Sequence, residues 1–416
     1  MEKSDGMKLF FWTESMQKTY EDLVHELNKT KRIKTYIKEK EPYELYKDLL
    51  ASILACKNVV LLDSDFSDEE ISRLGIPIEC LEKEEDVEIN VSSFEEILRL
   101  VERNGKAWQV TLYTSGTTGR PKKVSHNIET LTRYVRIGER FRNNVWAFAY
   151  NPTHFAGLQV FFQAFYNENP MIYIFEMDKR KIEKILNEFK VTHISATPTF
   201  YRSVVPYFKG QVPSVERVTM GGEKFDKRLA SELLKIFPNA KIRNVYASTE
   251  AGSLFAAEGE VFEIDPEIAD KVRISEDNEL LIHRSLLGYS DDFELDGEWY
   301  RTGDIVEKID ERHFRFSTRK AEMINIGGYK VNPHEVEDEI RKIEGVIDVV
   351  VKARKNAITG NILVAEIKVK NGTNIEEKEK EIMAVLSEKL QRWKVPRILK
   401  FVEELETTRT GKRLRK

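Results

Sequence analysis

Tyr113-Thr114-Ser115-Gly116-Thr117-Thr118-Gly119-Arg120-Pro121-Lys122-Lys123-Val124-Ser125 sets glycines among small hydroxyl residues and follows them with three cations. Glycine lets the backbone come close to a bulky anion. The hydroxyls of Ser115, Thr117 and Thr118 add donors, and successive main-chain N–H groups form an anion-binding concavity. The apolar run 110–113 ahead of it reads as a buried strand, so the loop leaves the end of a sheet, where α/β folds hold ligands. A phosphate-binding loop follows from this chemistry. A Walker A loop does not, because Gly116 and Gly119 lack the required spacing and no Gly-Lys-Ser/Thr follows.

The rest of the chain is consistent with an α/β protein. Its 416 residues exceed one ordinary core and suit two or three domains. With 41% apolar and 33% charged residues, and a net charge of −4, the composition is that of a well-solvated globular protein and makes no electrostatic case for nucleic acid. Cys56 and Cys80 are too few for a disulfide framework and are expected to pack as small apolar groups in a reducing compartment. The apolar run 9–12 is too short for a signal peptide or membrane span. A cytoplasmic protein is expected.

Amphipathic helices are predicted around 20–27, 42–56, 68–74 and 94–103, with a strand at 59–62. After the loop we expect a helix at 126–136, a strand at 145–150, a helix at 158–166, a strand at 171–175, a helix at 179–189 and strands at 193–196 and 217–220. Residues 261–316 change to short strands and turns, an antiparallel subdomain. Strands at 346–352 and 362–370 and a charged helix at 375–390 make a small α+β domain. The predicted layout is a large multi-subdomain α/β domain over 1–318, including the β-rich part, and a small mobile domain over 319–416.

Four more stretches stand out: Met220-Gly221-Gly222-Glu223, Asn244-Val245-Tyr246-Ala247-Ser248-Thr249-Glu250, Trp299-Tyr300-Arg301-Thr302-Gly303-Asp304, and Arg319 through Glu337 with Gly327-Gly328 and Pro333. A fifth closes the chain, Thr408-Arg409-Thr410-Gly411-Lys412-Arg413-Leu414-Arg415. Read alone, each is also an ordinary turn, strand end or solvated tail. Together, and in this order, they resemble the signatures of the adenylate-forming enzymes: acyl- and aryl-CoA synthetases, peptide-synthetase adenylation domains and luciferases. The resemblance runs from about residue 105 onward.

That resemblance implies roles. Thr114, Ser115, Gly116, Thr117, Thr118, Gly119 and Lys122 would cradle phosphates, and Gly221, Gly222 and Glu223 would lie along the adenine. Tyr246 would pack on the base, Thr249 would approach the phosphates and Glu250 would bind Mg²⁺. Asp304 would hold the ribose diol, for which two acceptor oxygens suit. Arg319 would bond ribose and phosphate, and Gly327 and Gly328 would line a thiol channel. Lys412 would neutralise the carboxylate and α-phosphate as they meet. His154, with Phe155, Gly157 and Leu158, would border the acyl pocket, where a satisfied structural histidine is an equal reading. The 197–200 segment would adjoin it, and Phe155, Phe200 and Tyr201 would suit a flat apolar substrate.

The implied reaction joins a carboxylic acid to ATP with release of pyrophosphate. The small domain then swings near 319–321 and a thiol takes the acyl group. The expected substrates are ATP with Mg²⁺, a small aromatic or short acyl acid, and coenzyme A; the phosphopantetheine of an acyl carrier protein is the alternative acceptor. A silent nucleotide-binding regulator is the contrasting class, opposed by the presence of Glu250, Asp304, Arg319 and Lys412. Two departures stand out. The loop near residue 113 comes earlier than usual, implying a trimmed N-terminal region, and Ala321 replaces the usual polar hinge residue.

Overall fold

The computed structural model describes residues 8–114, 122–326, 329–356, 360–409 and 411–415. Its centre is an eight-stranded sheet in the order Gly252–Ala257, Lys241–Ser248, Arg217–Gly221, His193–Ala196, Trp146–Phe148, Met171–Tyr173, Leu9–Trp12, Gln17–Thr19. The six inner strands run parallel, and the two edge strands are antiparallel to their neighbours. Side chains alternate across such a sheet. Ala147, Ile194, Val218 and Met220 therefore pack against helices Lys179–Glu188, Pro198–Val204 and Lys227–Ile236. Trp146 and Phe148 face the other way, into a core with helices Phe155–Phe165 and Pro42–Leu54. Phe161 stacks on Tyr46 there, with ring centroids 4.0 Å apart.

A second, four-stranded sheet runs Tyr36–Ile37, Val59–Leu61, Val110–Thr114, Lys122–His126. The last strand lies antiparallel, with Thr114 opposite Lys122. A strand thus stands where a helix was expected to begin, and only Ile128–Thr132 is helical. Val124 and His126 alternate inward, but the two lysines at its start masked that period. Leu9–Trp12 is also a strand, the parallel neighbour of Met171–Tyr173.

The β-rich region forms a six-stranded antiparallel sheet built on Trp299–Lys308 and His313–Arg319. Beyond Arg319, strands Val346–Asn356, Gly360–Val369 and Ile398–Phe401 make a sheet covered by helices Pro333–Arg341 and Ile375–Lys389, with its own core around Val336, Val349 and Leu386. Asn332 caps the first of these helices by accepting from the His334 N–H at 3.0 Å. The fold is a large α/β body followed by a small α+β unit. Among the described residues, no helix is long and apolar enough to cross a membrane. Another expectation fails: Cys56 is exposed rather than packed, because it takes φ +53° just past the end of helix Pro42–Leu54 and turns outward.

Candidate active site

The site gathers at the C-terminal ends of the parallel strands, as topology favours. Asp304 and Arg319 arrive together because strands Trp299–Lys308 and His313–Arg319 place them directly opposite each other. The Arg319 Nε lies 2.9 Å from Asp304 Oδ1, and the Tyr246 hydroxyl donates to Oδ2 at 2.5 Å. Asp304 is 1% exposed, and among the described residues Oδ1 accepts no aligned hydrogen bond despite the nearby guanidinium. Burial raises its carboxyl above the usual range, while Arg319 and Tyr246 act against that. Tyr246 is held by Phe255 and Phe262, so its ring is fixed.

Lys412 comes to the same place on the tail. Its Cε lies 3.1 Å from where a side-chain carbon on Gly222 would stand, and Gly222 has φ +81°. Only glycine accepts both conditions easily. Burial lowers the Lys412 ammonium below its ordinary range and the charge of Arg319 adds to this, with Glu223, Asp304 and Glu250 opposing. Glu223 holds the tail in register. It accepts from Thr199 N–H at 2.8 Å, from the Thr199 hydroxyl at 2.9 Å and from Arg413 N–H at 3.0 Å. The Thr197 hydroxyl donates to Gly411 O at 2.9 Å.

Thr249 and Glu250 sit in the turn after strand Lys241–Ser248. The Thr249 carbonyl accepts from His126 Nε2 at 2.7 Å, and the Glu250 carbonyl accepts from Gly288 N–H at 2.8 Å. His126 was not singled out in the sequence, yet it locks this turn. It is 1% exposed, and burial lowers it to about 4, so it stays neutral with Nε2 carrying the proton. Gly288 is required beside it, since a side-chain carbon there would stand 2.6 Å from His126 Cε1. Tyr300, also passed over, receives the Lys122 ammonium 5.7 Å above its ring. A cation at the mouth of the signature loop is thereby tied to the Asp304 strand.

Asn244 is a further residue not assigned earlier. Its amide donates to Gly259 O at 2.9 Å, which leaves Oδ1 as an acceptor. It lines a cleft of about 290 Å³ with Phe225, Phe262 and Ser317, between the sheet and Asp338 of the small unit.

His154 stands apart from the Lys412 cluster, 3.4 Å from Asp63 Oδ2, and among the described residues its Nε2 has no aligned partner. Asp63 is occupied by Thr153 and Asn151, and the latter also reaches Arg409 O at 3.4 Å. Gly157 is obligatory in this corner, because a side-chain carbon would stand 2.4 Å from Asn151 O. Leu158 is fully buried beside it. Phe155 is wedged against Gly252. Tyr201 does not reach a pocket on this side. Its ring is buried among the helices on the far face, and its hydroxyl donates to Ile194 O and Thr219 O, each at 3.0 Å. Phe200 lies in that far-face core too. Ser115, Gly116, Thr117, Thr118, Gly119, Gly327, Gly328 and the Thr114 side chain lie outside the described residues.

Residues 53–275 match the family model for the AMP-binding enzyme, and residues 335–412 match that for the AMP-binding enzyme C-terminal domain. A 2-succinylbenzoate–CoA ligase of Listeria innocua is 26% identical over 74% of this chain and 70% of its own length. A putative acyl–CoA ligase, YdaB of Bacillus subtilis, is 26% identical over 72% of this chain, and the match spans 65% of that relative. A 2-succinylbenzoate–CoA ligase of Staphylococcus epidermidis is 23% identical over 100% of this chain and 95% of its own. In fold, ATP-bound MatB from Rhodopseudomonas palustris matches with TM-score 0.73 at 16% identity, covering 99% of this chain and 95% of MatB. The o-succinylbenzoate CoA synthetase MenE of Bacillus subtilis, bound to its acyl-adenylate, matches at 0.71 and 17% identity, covering 98% and 94%. With more than half its length under one model, and the second model matching the segment that delivers Lys412, this chain belongs to the AMP-binding enzyme family.

Proposed function

We propose that this chain activates a small carboxylic acid with ATP, releasing pyrophosphate, and then passes the acyl group from the acyl-adenylate to coenzyme A. The observation that carries this is the convergence of Lys412 on Gly222, beside buried Asp304 and its partly exposed partner Arg319. That arrangement offers a cation, Lys412, with no carboxylate in salt-bridge contact among the described residues, a glycine floor on which it rests, and a buried acceptor oxygen. The names of the relatives, CoA ligases for 2-succinylbenzoate and for acyl groups, support an aromatic or acyl acid and CoA as the acceptor.

In this reading Asp304 Oδ1, which no described residue engages in an aligned hydrogen bond, accepts from the ribose diol while Arg319 keeps the carboxylate ionised. Asn244 Oδ1 accepts from the exocyclic amine of adenine, and the fixed ring of Tyr246 borders the base. Lys412 places its charge between the attacking carboxylate and the α-phosphate, where electrostatic stabilisation is worth most. Thr249 and Lys122 address the phosphates. Among the described residues no three His, Cys, Asp or Glu side chains group as a metal cage. Magnesium suits such a site, because it retains waters and binds through one carboxylate plus phosphate oxygens. Glu250 would hold it, and its charge would offset that of the phosphates.

We place the division between the units at 318/319, with a swing at 319–321 exposing the site to the thiol. A cytoplasmic location suits an enzyme using ATP and CoA. The test is carboxylate-dependent exchange of labelled pyrophosphate into ATP, across a panel of acids, with Lys412→Ala as control. Exchange with one acid class that disappears in the variant supports the reading. ATP binding without exchange for any acid sinks it in favour of a silent nucleotide binder.

A further inference from the structure

The tail that carries Lys412 is a small folded hairpin rather than a loose strand. Thr407 lies opposite Arg413, the Thr408 N–H donates to Lys412 O at 2.7 Å, and the Leu414 N–H donates to Glu406 O at 3.0 Å. Gly411 takes φ +72° in this turn, and a side-chain carbon there would stand 3.3 Å from Phe175 Cε2. The lysine is thus presented from a shaped knob, and its aim depends on how that knob is seated.

Three side chains of the large unit seat it, and all three act on main chain. The Asn151 amide donates to Arg409 O at 3.4 Å, the Thr197 hydroxyl donates to Gly411 O at 2.9 Å, and Glu223 Oε1 accepts from the Arg413 N–H at 3.0 Å. They follow the C-terminal ends of three neighbouring parallel strands, Trp146–Phe148, His193–Ala196 and Arg217–Gly221. The order 409, 411, 413 therefore runs along the edge of the sheet. Each side chain is also oriented from within the large unit. Asn151 Oδ1 accepts from the Thr153 N–H at 3.0 Å, which leaves its amide nitrogen to Asp63 and the tail. The Thr197 oxygen accepts from the Phe200 N–H at 3.0 Å, and Glu223 is held by the N–H and hydroxyl of Thr199 at 2.8 and 2.9 Å. Groups fixed beforehand lose little freedom when the tail arrives.

The two shorter holds bracket the lysine. Gly411 O and the Arg413 N–H belong to the peptide groups on either side of the Lys412 Cα. Peptide groups are planar, so fixing both fixes that Cα and the direction in which its side chain leaves. We infer that Thr197 and Glu223 are positioning residues for adenylation, aiming Lys412 by gripping the two peptide groups that flank it, with Asn151 as a weaker third hold. The inference rests on the adenylation reading. A displacement of about 1 Å in a charge-stabilising group costs about 100-fold in rate, so two hydrogen bonds remote from the chemistry govern it through one ammonium.

The test is a double-mutant cycle in pyrophosphate exchange at saturating ATP, across the acid panel with benzoate and butanoate included. In the wild-type background, Thr197→Val should lower exchange by about 5- to 20-fold and Glu223→Gln by about 10- to 100-fold. Thr197→Ser, which keeps the hydroxyl, should stay within about twofold of the wild type, and Asn151→Ala should do least among the substitutions that remove a hold. In the Lys412→Ala background, Thr197→Val and Glu223→Gln should change the residual exchange by less than about twofold, because the group they aim is gone. ATP affinity by calorimetry and melting temperature check that each variant is folded. Equal losses in both backgrounds make the two residues structural and overturn the inference while adenylation stands. So does undiminished exchange in Thr197→Val and Glu223→Gln. No exchange with any acid, with ATP still bound, overturns the adenylation reading and this inference with it.

Discussion

Lys412 rests on Gly222, its Cε 3.1 Å from the point a side-chain carbon would occupy. Gly222 follows a central-sheet strand and Lys412 lies on the tail, so this contact reports whether the tail is seated. Gly222→Ala should unseat it twice over, through the left-handed backbone at φ +81° and through the displaced lysine. We expect exchange to fall by at least about tenfold, since a non-glycine residue in that conformation costs about 1–2 kcal/mol. Gly221→Ala should cost less, because its nearest neighbour would be Val245 O at 3.4 Å and its φ is ordinary. Steady-state exchange on both variants, with Lys412→Ala falling by about 10²–10³ as the reference, checks the order.

The lowered ammonium of Lys412 predicts a pH profile. A lysine pushed down by burial and by Arg319 loses its proton at a lower pH than an exposed one. Its charge is present on the acid side and lost as pH rises through that lowered value. The alkaline limb of exchange should therefore fall below the ordinary lysine range, and Lys412→Arg should move that limb upward. A limb that is the same in both forms would assign it elsewhere.

Asp348 joins three parts of the molecule. It is fully buried, its Oδ2 takes Arg413 Nη2 at 2.6 Å and its Oδ1 takes Arg341 Nε at 3.3 Å, with Arg202 of the large unit at 3.8 Å. Burial would raise its carboxyl, but Arg202, Arg341 and Arg413 outweigh that and hold it below the usual range. Asp348→Ala would leave three cations without their shared anion, and we expect a loss of about 3–5 kcal/mol in chemical denaturation. In the wild type this contribution is present above the unfolded carboxylate value and fades as pH falls through the lower folded one. Equal stability of both proteins at neutral pH would refute the shared-anion account.

Arg409 ties the tail to the first part of the chain. Its guanidinium bonds Asp65 at 2.8 Å and Glu70 at 2.8 and 3.1 Å, and covers the Phe66 ring at 4.7 Å. The Glu70 carboxyl is lowered to about 2, first by Arg409 and then by the Ser67 backbone. Exposed pairs contribute little stability, so Arg409→Ala should leave the melting temperature nearly unchanged. Exchange should nonetheless drop several-fold, and tryptic cleavage of the tail should quicken. A large loss of stability with normal exchange would reverse this assignment.

How much of this was legible in the sequence depends on range. The order of Glu250, Asp304, Arg319 and Lys412 was legible because each sits in a short local pattern. Most helices were legible from their period, as with Phe94–Asn104 and Ile375–Lys389. The pairing of Asp304 with Arg319 was not, because a cross-strand register appears in no local window. His126 was hidden for a related reason: its partner, the Thr249 carbonyl, has no side-chain signature at all. Tyr201 looked like pocket lining, yet helix phase turned it to the far face.

The placement of Leu9–Trp12 bears on how the molecule comes into being. This strand finds its parallel partner only when Met171–Tyr173 exists, and Phe11 pairs with Met171 itself. Until then Phe10 and Phe11, both buried in the finished core, have only the short edge strand Gln17–Thr19 to pair with. On a ribosome the first hydrophobic segment must wait for the middle of the chain, and contacts of such long sequence separation form slowly. Nascent chains should therefore carry an exposed aromatic segment during much of their synthesis, a natural handle for a chaperone.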